Sequence, residues 1–457
     1  MGKLVAGTAK GDITPPVGLV QAGYGQRTAP AVGTHDDLHV VALYLSDGET
    51  EAALLTADLL SADVAGATRI REAAALASGV PAEQIMVAFS HTHGAPKTLL
   101  YAMESDDPLV VTYSSMVVFK LAGALAEAKR AAVPVRIGYG RQACTVGMNR
   151  RELRPDGRMI LGVNREGPTR PWADVVRFDA AEGQRPLAVL CSYASHGTTL
   201  GGDNLLYTAD YIGYAKSTIE QLLPGTTALF AAGCSGDINP YPRGSFANCV
   251  DNGIRVGCAA TQAALAIDGL QEVDRVVVAR RGFEWRVQDP PTLAEAKAAL
   301  APLEAAAAAD LAKAREAAHD PTLDEKQGIE FWTLRRLNHA RQLVAALENN
   351  DLDLTITLET QAIALGDIAL VGLPGEIFVR IGEAVMARSP FTHTIVTSHT
   401  NGWAGYLPTA DQVALGGYEI ERARAQRYGL PIADDSDQVA IDAAVAALQD
   451  CYAARQA

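Results

Sequence analysis

Short apolar runs bounded by turn residues alternate with longer amphipathic segments along most of the chain. Runs with strand-like patterning are Lys3–Ala9, His39–Leu45, Glu51–Ala57, Gln84–Phe89, 134–143, Leu187–Tyr193, Thr226–Ala232, Asp353–Leu358, Gln361–Leu365, Ile368–Gly372 and His393–Ser398. Helical patterning covers 63–78, 108–131 and 210–222. Asp47-Gly48, between two of the strands, is typical of a hairpin turn. The pattern predicts a mixed α/β fold.

Residues 291–349 differ from the rest in kind. They are dense in Ala, Leu, Glu, Lys and Arg, which are strong helix formers. Pro321, within Asp320-Pro321-Thr322, should end one helix before a second begins. We predict a helical hairpin inserted in the α/β body, forming one wall of a cleft. Because no internal repeat or long polar linker interrupts the chain, residues 1–457 are predicted to form a single catalytic domain.

Composition narrows the class of protein. The 457 residues are 48% hydrophobic and 20% charged, which is enough to build a large core. The formal charge of −14 and the lack of a basic cluster argue against binding to nucleic acid or to an anionic membrane surface. Six cysteines without a CxxC pair fit a reducing compartment. We find no signal peptide and no run approaching the roughly 20 apolar residues of a spanning helix, so we expect a cytoplasmic protein without stable membrane association.

Four polar, glycine-containing loops follow directly after apolar strands. They are Ser90–Pro96, Ala194–Thr199, Leu373–Ile377 and His399–Tyr406. Functional sites concentrate in such loops because the strand ends hold them rigidly. Two imidazoles, a carboxylate and a phenol from these loops would suit zinc, which accepts nitrogen and oxygen ligands. A hydrolytic zinc site also leaves one coordination position open.

Each candidate taken alone has an ordinary structural explanation. His91 and His93 could lie in a surface loop, and His196 could be a hydrogen-bonded interior histidine. Glu376, after Pro-Gly, could be a first-turn glutamate favoured by the helix dipole, and Tyr406 could serve packing. It is their shared position after apolar strands that favours a metal site.

Several short motifs, in their order along the chain, resemble the neutral/alkaline (non-lysosomal) ceramidase family. The segments that carry the likeness are Ala6-Gly7, Asp12–Pro15, Gly33–Asp36, Thr56–Asp58, Ser90–Pro96, Met148–Arg150, the His196 loop, Gly236–Pro240, Leu373–Glu376 and Gly405-Tyr406. The likeness spans nearly the whole chain outside 291–349. It implies a layered sandwich of two mixed β-sheets flanked by helices. The family's C-terminal β-sandwich domain has no counterpart, so we expect a short, bacterial-type catalytic domain.

The resemblance also implies a set of site residues. A catalytic zinc would be held by His91, His196, Glu376 and Tyr406. The scissile carbonyl and its proton would be handled by His93 and Arg150. The polar end of the substrate would be lined by Gly23, His35 and Tyr418. Behind these, Asp237 is a candidate to orient a ligand histidine, with a plain turn residue as the alternative, and His399 is a further candidate for such a supporting place.

These residue types define a chemistry. Zinc lowers the pKa of bound water toward about 7. His93 can take the water's proton and pass it to the leaving amine, and Arg150 can brace the oxyanion. Tyr406 could bind as phenol or phenolate, since a nearby dication favours the ionised form. Lys97 stands where the family tends to have glycine, so it could bind an anionic substrate group; the alternative is that it points into solvent.

The sequence therefore predicts a zinc-dependent amidohydrolase that cleaves a linear N-acyl amide. Ceramide is one candidate substrate, and a smaller, polar or anionic N-acyl compound is another. Alternatives on the same site are a zinc-dependent esterase or lactonase and a non-hydrolytic zinc epimerase or lyase. A purely structural metal is disfavoured because structural zinc sites are usually closed by four Cys or His ligands. The sequence leaves open whether the chain forms a homo-oligomer.

Overall fold

The computed structural model of the protein describes residues 3–99, 107–182 and 186–456. Its helices are α1 (Val64–Ser78), α2 (Pro108–Arg130), α3 (Asp210–Leu222), α4 (Phe246–Leu265), α5 (Leu293–Ala318), α6 (Glu325–Gly328), α7 (Phe331–Glu348), α8 (Val379–Arg388), α9 (Ala410–Val413), α10 (Tyr418–Glu421) and α11 (Ser436–Gln456). Its strands are β1 (Val5–Asp12), β2 (Gly33–Thr34), β3 (His39–Ser46), β4 (Glu51–Ala57), β5 (Ile85–Phe89), β6 (Val133–Ala143), β7 (Gly147–Leu153), β8 (Met159–Asn164), β9 (Trp172–Ala180), β10 (Pro186–Tyr193), β11 (Leu206–Tyr207), β12 (Thr227–Ala232), β13 (Ile238–Pro240), β14 (Val276–Arg286), β15 (Thr355–Leu365), β16 (Ile368–Gly372), β17 (Glu376–Ile377), β18 (His393–Thr397), β19 (Tyr406–Leu407), β20 (Gln426–Arg427) and β21 (Leu430–Pro431).

Local sequence signals set several of these boundaries. The Asp63 carboxylate accepts a hydrogen bond from Gly66 N–H at the start of α1, and Gly79 ends that helix with a left-handed φ of +76°. In the predicted hairpin between β3 and β4, the carboxylate of Asp47 accepts from the backbone N–H groups of Glu49 and Thr50. Both elements therefore begin and end where the sequence places them.

Two mixed sheets form the centre of the fold. The larger has eight strands in the order β12-β10-β9-β6-β1-β3-β4-β5, with the parallel pairs β10–β12 and β4–β5 at its two ends. The smaller has the order β14-β15-β16-β18, in which only β16 and β18 are parallel. Each sheet therefore combines parallel with antiparallel pairs, as expected of a mixed α/β protein.

Apolar packing arranges these sheets in layers. The inner faces of the two sheets share one core, in which Leu43 and Phe178 of the large sheet join Ile363 and Leu370 of the small sheet. Helices α1 and α2 cover one half of the large sheet's outer face, and α3 and α4 cover the other half. Helices α8 and α11 cover the outer face of the small sheet. This arrangement confirms the predicted fold class, two mixed sheets flanked by helices.

The helical insertion, residues 291–349, contains α5, α6 and α7. Helix α5 ends at Ala318, just before Pro321, as the sequence predicts. The insertion has a small core of its own around Leu337, which is fully buried. Near its base, Leu343 and Val344 pack against Leu430 of the α/β body. The insertion is thus attached to the α/β body at its base.

Helix α2 departs from one expectation. It is 23 residues long and, by length and composition, apolar enough to cross a membrane, so the expectation that no segment approaches this standard was wrong. Half of its most apolar window is buried. Val117 and Leu121 pack with α1 and the large sheet, which is the arrangement of a core helix.

Two further differences concern the second half of the chain. The two strands predicted at 353–365 are one continuous strand, β15, because Glu359 and Thr360 continue the antiparallel ladder with β14. The pattern also left α4, α8 and α11 unassigned. Small residues make the apolar stripe of α11 a weak signal, whereas α4 and α8 have clear apolar faces that were overlooked.

The four strand-end loops meet despite their distance in the sheets. Strands β5 and β10 belong to opposite halves of the large sheet, yet Thr92 and Gly197 in the following loops form a bridge. Loops of the small sheet join them, since Thr400 bridges to Ala88 of β5. The topology therefore places all four loops at one site.

Candidate metal centre

Four side chains from these loops converge at one point. Nε2 of His196 lies 3.0 Å from Oε2 of Glu376 and 3.2 Å from the hydroxyl oxygen of Tyr406. Nε2 of His91 lies 3.4 Å from the same oxygen of Glu376. All four side chains are buried. The structure thus brings together every ligand that the sequence predicted.

These separations match the edges of a tetrahedron around one cation. Zinc binds imidazole nitrogen and carboxylate oxygen at about 2.0–2.2 Å, so the ligand atoms of a tetrahedral site lie about 3.3–3.6 Å apart. The separations of 3.0 Å between His196 and Glu376 and of 3.4 Å between His91 and Glu376 lie close to that range. The donor atoms therefore have the spacing of a small tetrahedral cation.

A backbone carbonyl fixes the tautomer of each of the two ligand histidines. Nδ1 of His91 donates to the carbonyl of Leu60 at 2.9 Å, and Nδ1 of His196 donates to the carbonyl of Ser235 at 2.7 Å. Because Nδ1 carries the proton, Nε2 of each ring turns a lone pair toward the Glu376 carboxylate. Lone pairs that face a carboxylate repel it, and a cation between them removes that repulsion. The chemistry of the donor set therefore fits zinc.

Burial favours the protonation states that such a centre needs. It lowers the pKa of His196 to about 4, and the nearby Arg150 cation adds to the effect, so this imidazole is neutral at pH 7. Burial raises the pKa of Tyr406 against the opposing effect of Arg150, so the phenol is neutral unless a cation binds.

His93 lies beside the four ligands but is held differently. Its Nε2 lies 3.3 Å from Nε2 of His91, and its Nδ1 has no hydrogen-bond partner in the described part of the chain. Nitrogens of His91, His93 and His196 lie within 4.8 Å of one another, which would also allow His93 to bind a metal. Unlike the rings of His91 and His196, the His93 ring is oriented by no carbonyl of the described residues, and its catalytic role stays a prediction. Burial lowers the pKa of His93 well below its usual value, so the ring is neutral and can accept a proton.

The 23–27 segment positions His93. Gly23 has a φ of +90°, and a Cβ built on it would lie 2.3 Å from Nδ1 of His93. Tyr24 meets the His93 ring edge-on, with centroids 4.9 Å apart. The buried guanidinium of Arg27 donates to the backbone carbonyl of His93. Gly23 thus acts on the site by leaving room for this ring, and its predicted contact with the substrate stays a prediction.

Arg150 contacts the ligand cluster at Tyr406. Its Nη2 donates to the hydroxyl oxygen of Tyr406 at 2.9 Å, and its Nε donates to Glu419 at 2.8 Å. Arg151 binds the other oxygen of Glu419, also at 2.8 Å. Burial opposes the charge of Arg150, but Tyr406 and Glu419 outweigh it and raise the pKa of the guanidinium. A permanent cation therefore lies in contact with two of the candidate ligands, Tyr406 and, at 3.4 Å from its Nε2, His196.

The loop before Tyr406 supplies two supporting side chains. Nε1 of Trp403 donates to Oε1 of Glu376 at 3.1 Å, which leaves Oε2 for the centre. The ring of His399 stacks on His91 with centroids 3.8 Å apart and planes 12° apart. The sequence placed His399 behind a ligand but gave Trp403 no role. In the sequence, only its position three residues before Tyr406 points to a role for Trp403, and position alone is a weak indication.

The structure corrects the prediction for Asp237. Its carboxylate accepts from the backbone N–H of Val379 at 2.8 Å and from Nδ2 of Asn149 at 3.1 Å. The carbonyl of Ser235 orients His196 instead. The prediction was wrong because a backbone carbonyl can meet the same need as a carboxylate, and residue type does not reveal it. Through these two hydrogen bonds, Asp237 links the start of α8 to β7, the strand that carries Arg150.

The remaining predicted residues lie at different distances from the centre. Tyr418 meets Tyr406 edge-on at 5.8 Å between centroids, so it borders the site. Lys97 is half-buried, and burial together with the nearby Arg27 lowers its pKa. Its contact with a substrate anion stays a prediction.

His35 is not brought against the ligands. It stacks on Phe246 with centroids 3.8 Å apart, and its Nδ1 lies 3.2 Å from both Asp36 and the hydroxyl of Tyr214. It is exposed on the surface, and none of these partners contacts the four ligands within the described ranges. Its role at the polar end of a substrate stays a prediction.

Comparison with solved structures identifies the architecture. A crystal structure of neutral ceramidase from Pseudomonas aeruginosa matches with a TM-score of 0.70 and 20% identity, covering 98% of this chain and 75% of that chain. A ceramidase complexed with C2 matches with a TM-score of 0.70 and 19% identity over the same shares. This chain has the neutral-ceramidase fold. No protein-family profile and no curated protein sequence matches it.

The neutral-ceramidase fold confirms the layered architecture that the motifs implied. At 20% identity, the likeness is one of fold. The likeness covers 98% of this chain, a far larger share than the short motifs that carry the sequence resemblance.

Proposed function

We propose that the protein is a zinc-dependent amidohydrolase that cleaves a linear N-acyl amide. One observation carries this proposal: the lone pairs of His91, His196, Glu376 and Tyr406 converge at tetrahedral spacing with a neutral imidazole beside them. The likeness in fold to neutral ceramidases supports it, since ceramide is itself an N-acyl amide.

Zinc in such a site supplies acidification of water toward a pKa of about 7 and polarisation of a carbonyl. A neutral phenol binds a cation weakly, so the strong ligands would be His91, His196 and Glu376, which leaves a position for water or substrate. Structural zinc sites are instead closed by strong Cys and His ligands. The residues present therefore suit a catalytic centre.

His93 is the proton carrier of the proposed reaction. Its ring is neutral, since burial lowers its pKa well below the usual value, and one ring nitrogen points at the ligand cluster. It can accept a proton from water and deliver it to the leaving nitrogen, which must depart as a neutral amine. Gly23 and Arg27 fix the ring and the backbone of His93 for this transfer.

Arg150 stabilises negative charge on the carbonyl oxygen. Its guanidinium remains cationic in the buried site, and its contact with Tyr406 places it at the edge of the centre. Attack on an amide places a full negative charge on that oxygen, and a fixed donor in a water-poor site stabilises such a charge strongly. Glu419 and Arg151 hold Arg150 in this position.

We also propose that the substrate is either ceramide-like or a smaller, polar N-acyl compound. Lys97, four residues after His93 along the chain, favours a compound with an anionic amine portion, because the leaving nitrogen would lie beside His93. The cytoplasmic location and any assembly into oligomers remain predictions.

A hydrolysis screen tests the proposed function. Purified protein would be incubated with matched N-acyl amides, esters and lactones, before and after removal of zinc by a chelator, and amine release, acid release and zinc content would be measured. We expect amine release that disappears with zinc and returns when zinc is restored. Acid release from esters or lactones alone would favour the esterase or lactonase alternative. Isomerised product without hydrolysis would favour the epimerase.

A further inference from the structure

We propose that Trp332, at the start of α7 in the helical insertion, forms the wall against which the substrate's acyl group packs. The substrate class would then be amides with an extended aliphatic or planar aromatic acyl group. This inference rests on the proposed function, because it takes the metal centre as the place where the amide is held.

Aromatic contacts connect Trp332, through Tyr418, to the predicted ligand Tyr406. The Trp332 ring meets Tyr418 edge-on, with centroids 6.1 Å apart and planes at 85°. Tyr418 in turn meets Tyr406 at 5.8 Å and 77°. Trp332 and Tyr418 are both only half-buried, so the Tyr406–Tyr418–Trp332 row leads from the buried centre to the surface. The row ends at Trp332, whose large apolar ring is partly accessible to solvent.

Phe331, the residue before Trp332, contacts the segment that positions His93. Phe331 packs against Gly25, where a Cβ would lie 2.7 Å from Cδ1 of the phenyl ring. Gly25 follows Tyr24, whose ring meets His93 edge-on. Consecutive residues of one helical turn therefore contact both the His93 side and the Tyr406 side.

The start of α7 is also held in place from within the insertion. The Glu330 carboxylate accepts from the backbone N–H of Thr333 and caps the helix. One and a half turns later, Leu337 is fully buried in the core of the insertion. The guanidinium of Arg335 lies 5.6 Å from the centroid of the Trp332 ring. Trp332 is thus a positioned side chain on a capped helix.

The arrangement of the reacting groups decides which end of the amide meets Trp332. The leaving nitrogen must lie beside His93, which delivers its proton. The carbonyl oxygen must lie toward Arg150 and the ligands. The acyl substituent then extends away from His93, which is the direction of Tyr418 and Trp332. Apolar rings on that side stabilise an acyl chain by removing it from water, by about fourfold in affinity per buried methylene.

Acyl hydroxamates of increasing length test this inference, because the hydroxamate binds a metal and the acyl chain projects beyond it. Dissociation constants would be measured by calorimetry on zinc-loaded protein for acetyl, butanoyl, hexanoyl, octanoyl and benzoyl hydroxamates. The variants are Trp332→Ala, Trp332→Phe and, as the matched control on an exposed position of the same helix, Arg336→Ala. Zinc content would be measured on each preparation.

For the unaltered protein, we expect affinity to rise at least about 100-fold from acetyl to octanoyl. Trp332→Ala should lose most of this gain while binding acetohydroxamate within about twofold of the unaltered protein, which also shows that its site is folded. Trp332→Phe should keep most of the gain, and Arg336→Ala all of it. Equal gains in Trp332→Ala and the unaltered protein, or no gain in either, would overturn the inference. If no hydroxamate binds at any length, the open metal centre itself is contradicted, and both proposals fall.

Discussion

The imidazole of His93 lies where the side chain of any residue other than glycine at position 23 would begin. A Cβ on Gly23 would be 2.3 Å from Nδ1 and 2.4 Å from Cγ of His93. These distances are far inside van der Waals contact, so the ring and a Cβ exclude each other. Because His93 is also held by Arg27 through its carbonyl, the ring has little freedom to move aside.

Replacing Gly23 by Ala should therefore displace His93 and lower kcat by roughly tenfold or more, with zinc still bound. Gly18→Ala is a matched control. Gly18 also has a positive φ, +118°, but a Cβ there meets nothing within 4 Å. Both variants carry backbone strain, and only Gly23→Ala carries the collision. Equal loss of kcat in the two variants would show that strain, and not the position of His93, is responsible.

Arg150→Ala should lower kcat by roughly 100-fold while zinc remains bound, because a fixed cation next to the carbonyl oxygen is lost. Arg150→Lys keeps the charge but not the planar fork that binds both Tyr406 and Glu419. We expect the kcat of Arg150→Lys to lie between those of the unaltered protein and Arg150→Ala. Steady-state kinetics and zinc content measured together check this, and an alanine variant within about threefold of the unaltered protein would rule out the role.

Lys97→Gln should raise KM for an N-acyl substrate with an anionic amine portion and leave a neutral analogue nearly unchanged, because only binding of the charge is lost. The comparison of the two substrates is its own control. A similar rise in KM for both, or for neither, would mean that Lys97 does not read substrate charge. Long-chain ceramide would then be favoured over small anionic amides.

His339 provides a pH test of the helical insertion. Burial and the nearby Arg335 lower its pKa to about 4 from 6.5. Between pH 6.5 and pH 4 the unfolded chain therefore binds a proton that the folded chain does not. As a result, the free energy of unfolding falls as the pH falls through this window, by about 2 kcal/mol between pH 7 and pH 5.

Denaturant unfolding of the unaltered protein and of His339→Gln at both pH values isolates this contribution. The glutamine variant should lose less stability on acidification, by roughly the same 2 kcal/mol. The remaining pH dependence, common to both proteins, belongs to other groups. An identical pH dependence in the two proteins would show that His339 does not titrate between these values.

The sequence predicted the ligand set and much of the fold because both rest on local signals. The β3–β4 hairpin followed from Asp47-Gly48, and the four loops followed from polar, glycine-containing segments after apolar strands. That these loops meet could not be derived from periodicity, since β5 and β10 lie in opposite halves of one sheet. The resemblance to a known family supplied that information.

What the sequence missed depends on contacts between distant segments. The indole of Trp403 binds Glu376, and the carbonyl of Ser235 orients His196. Every residue has a backbone carbonyl, so the residue type cannot show which carbonyl orients a histidine. Asp237 was therefore assigned a role that the carbonyl of Ser235 performs. The contact of Trp332 with Tyr418 was missed for a similar reason. A segment rich in strong helix formers does not reveal which of its residues touch the α/β body.

The most direct measurement of the central claim is zinc content and amine release on the same preparations of the unaltered protein, His91→Ala and His93→Ala. The account predicts about one zinc per chain and amine release for the unaltered protein, and loss of both in His91→Ala. It predicts that His93→Ala keeps its zinc but loses roughly 100-fold or more of the rate. Loss of zinc from His93→Ala with full zinc in His91→Ala would exchange the two roles, and full zinc in both with undiminished amine release would contradict the proposed centre altogether.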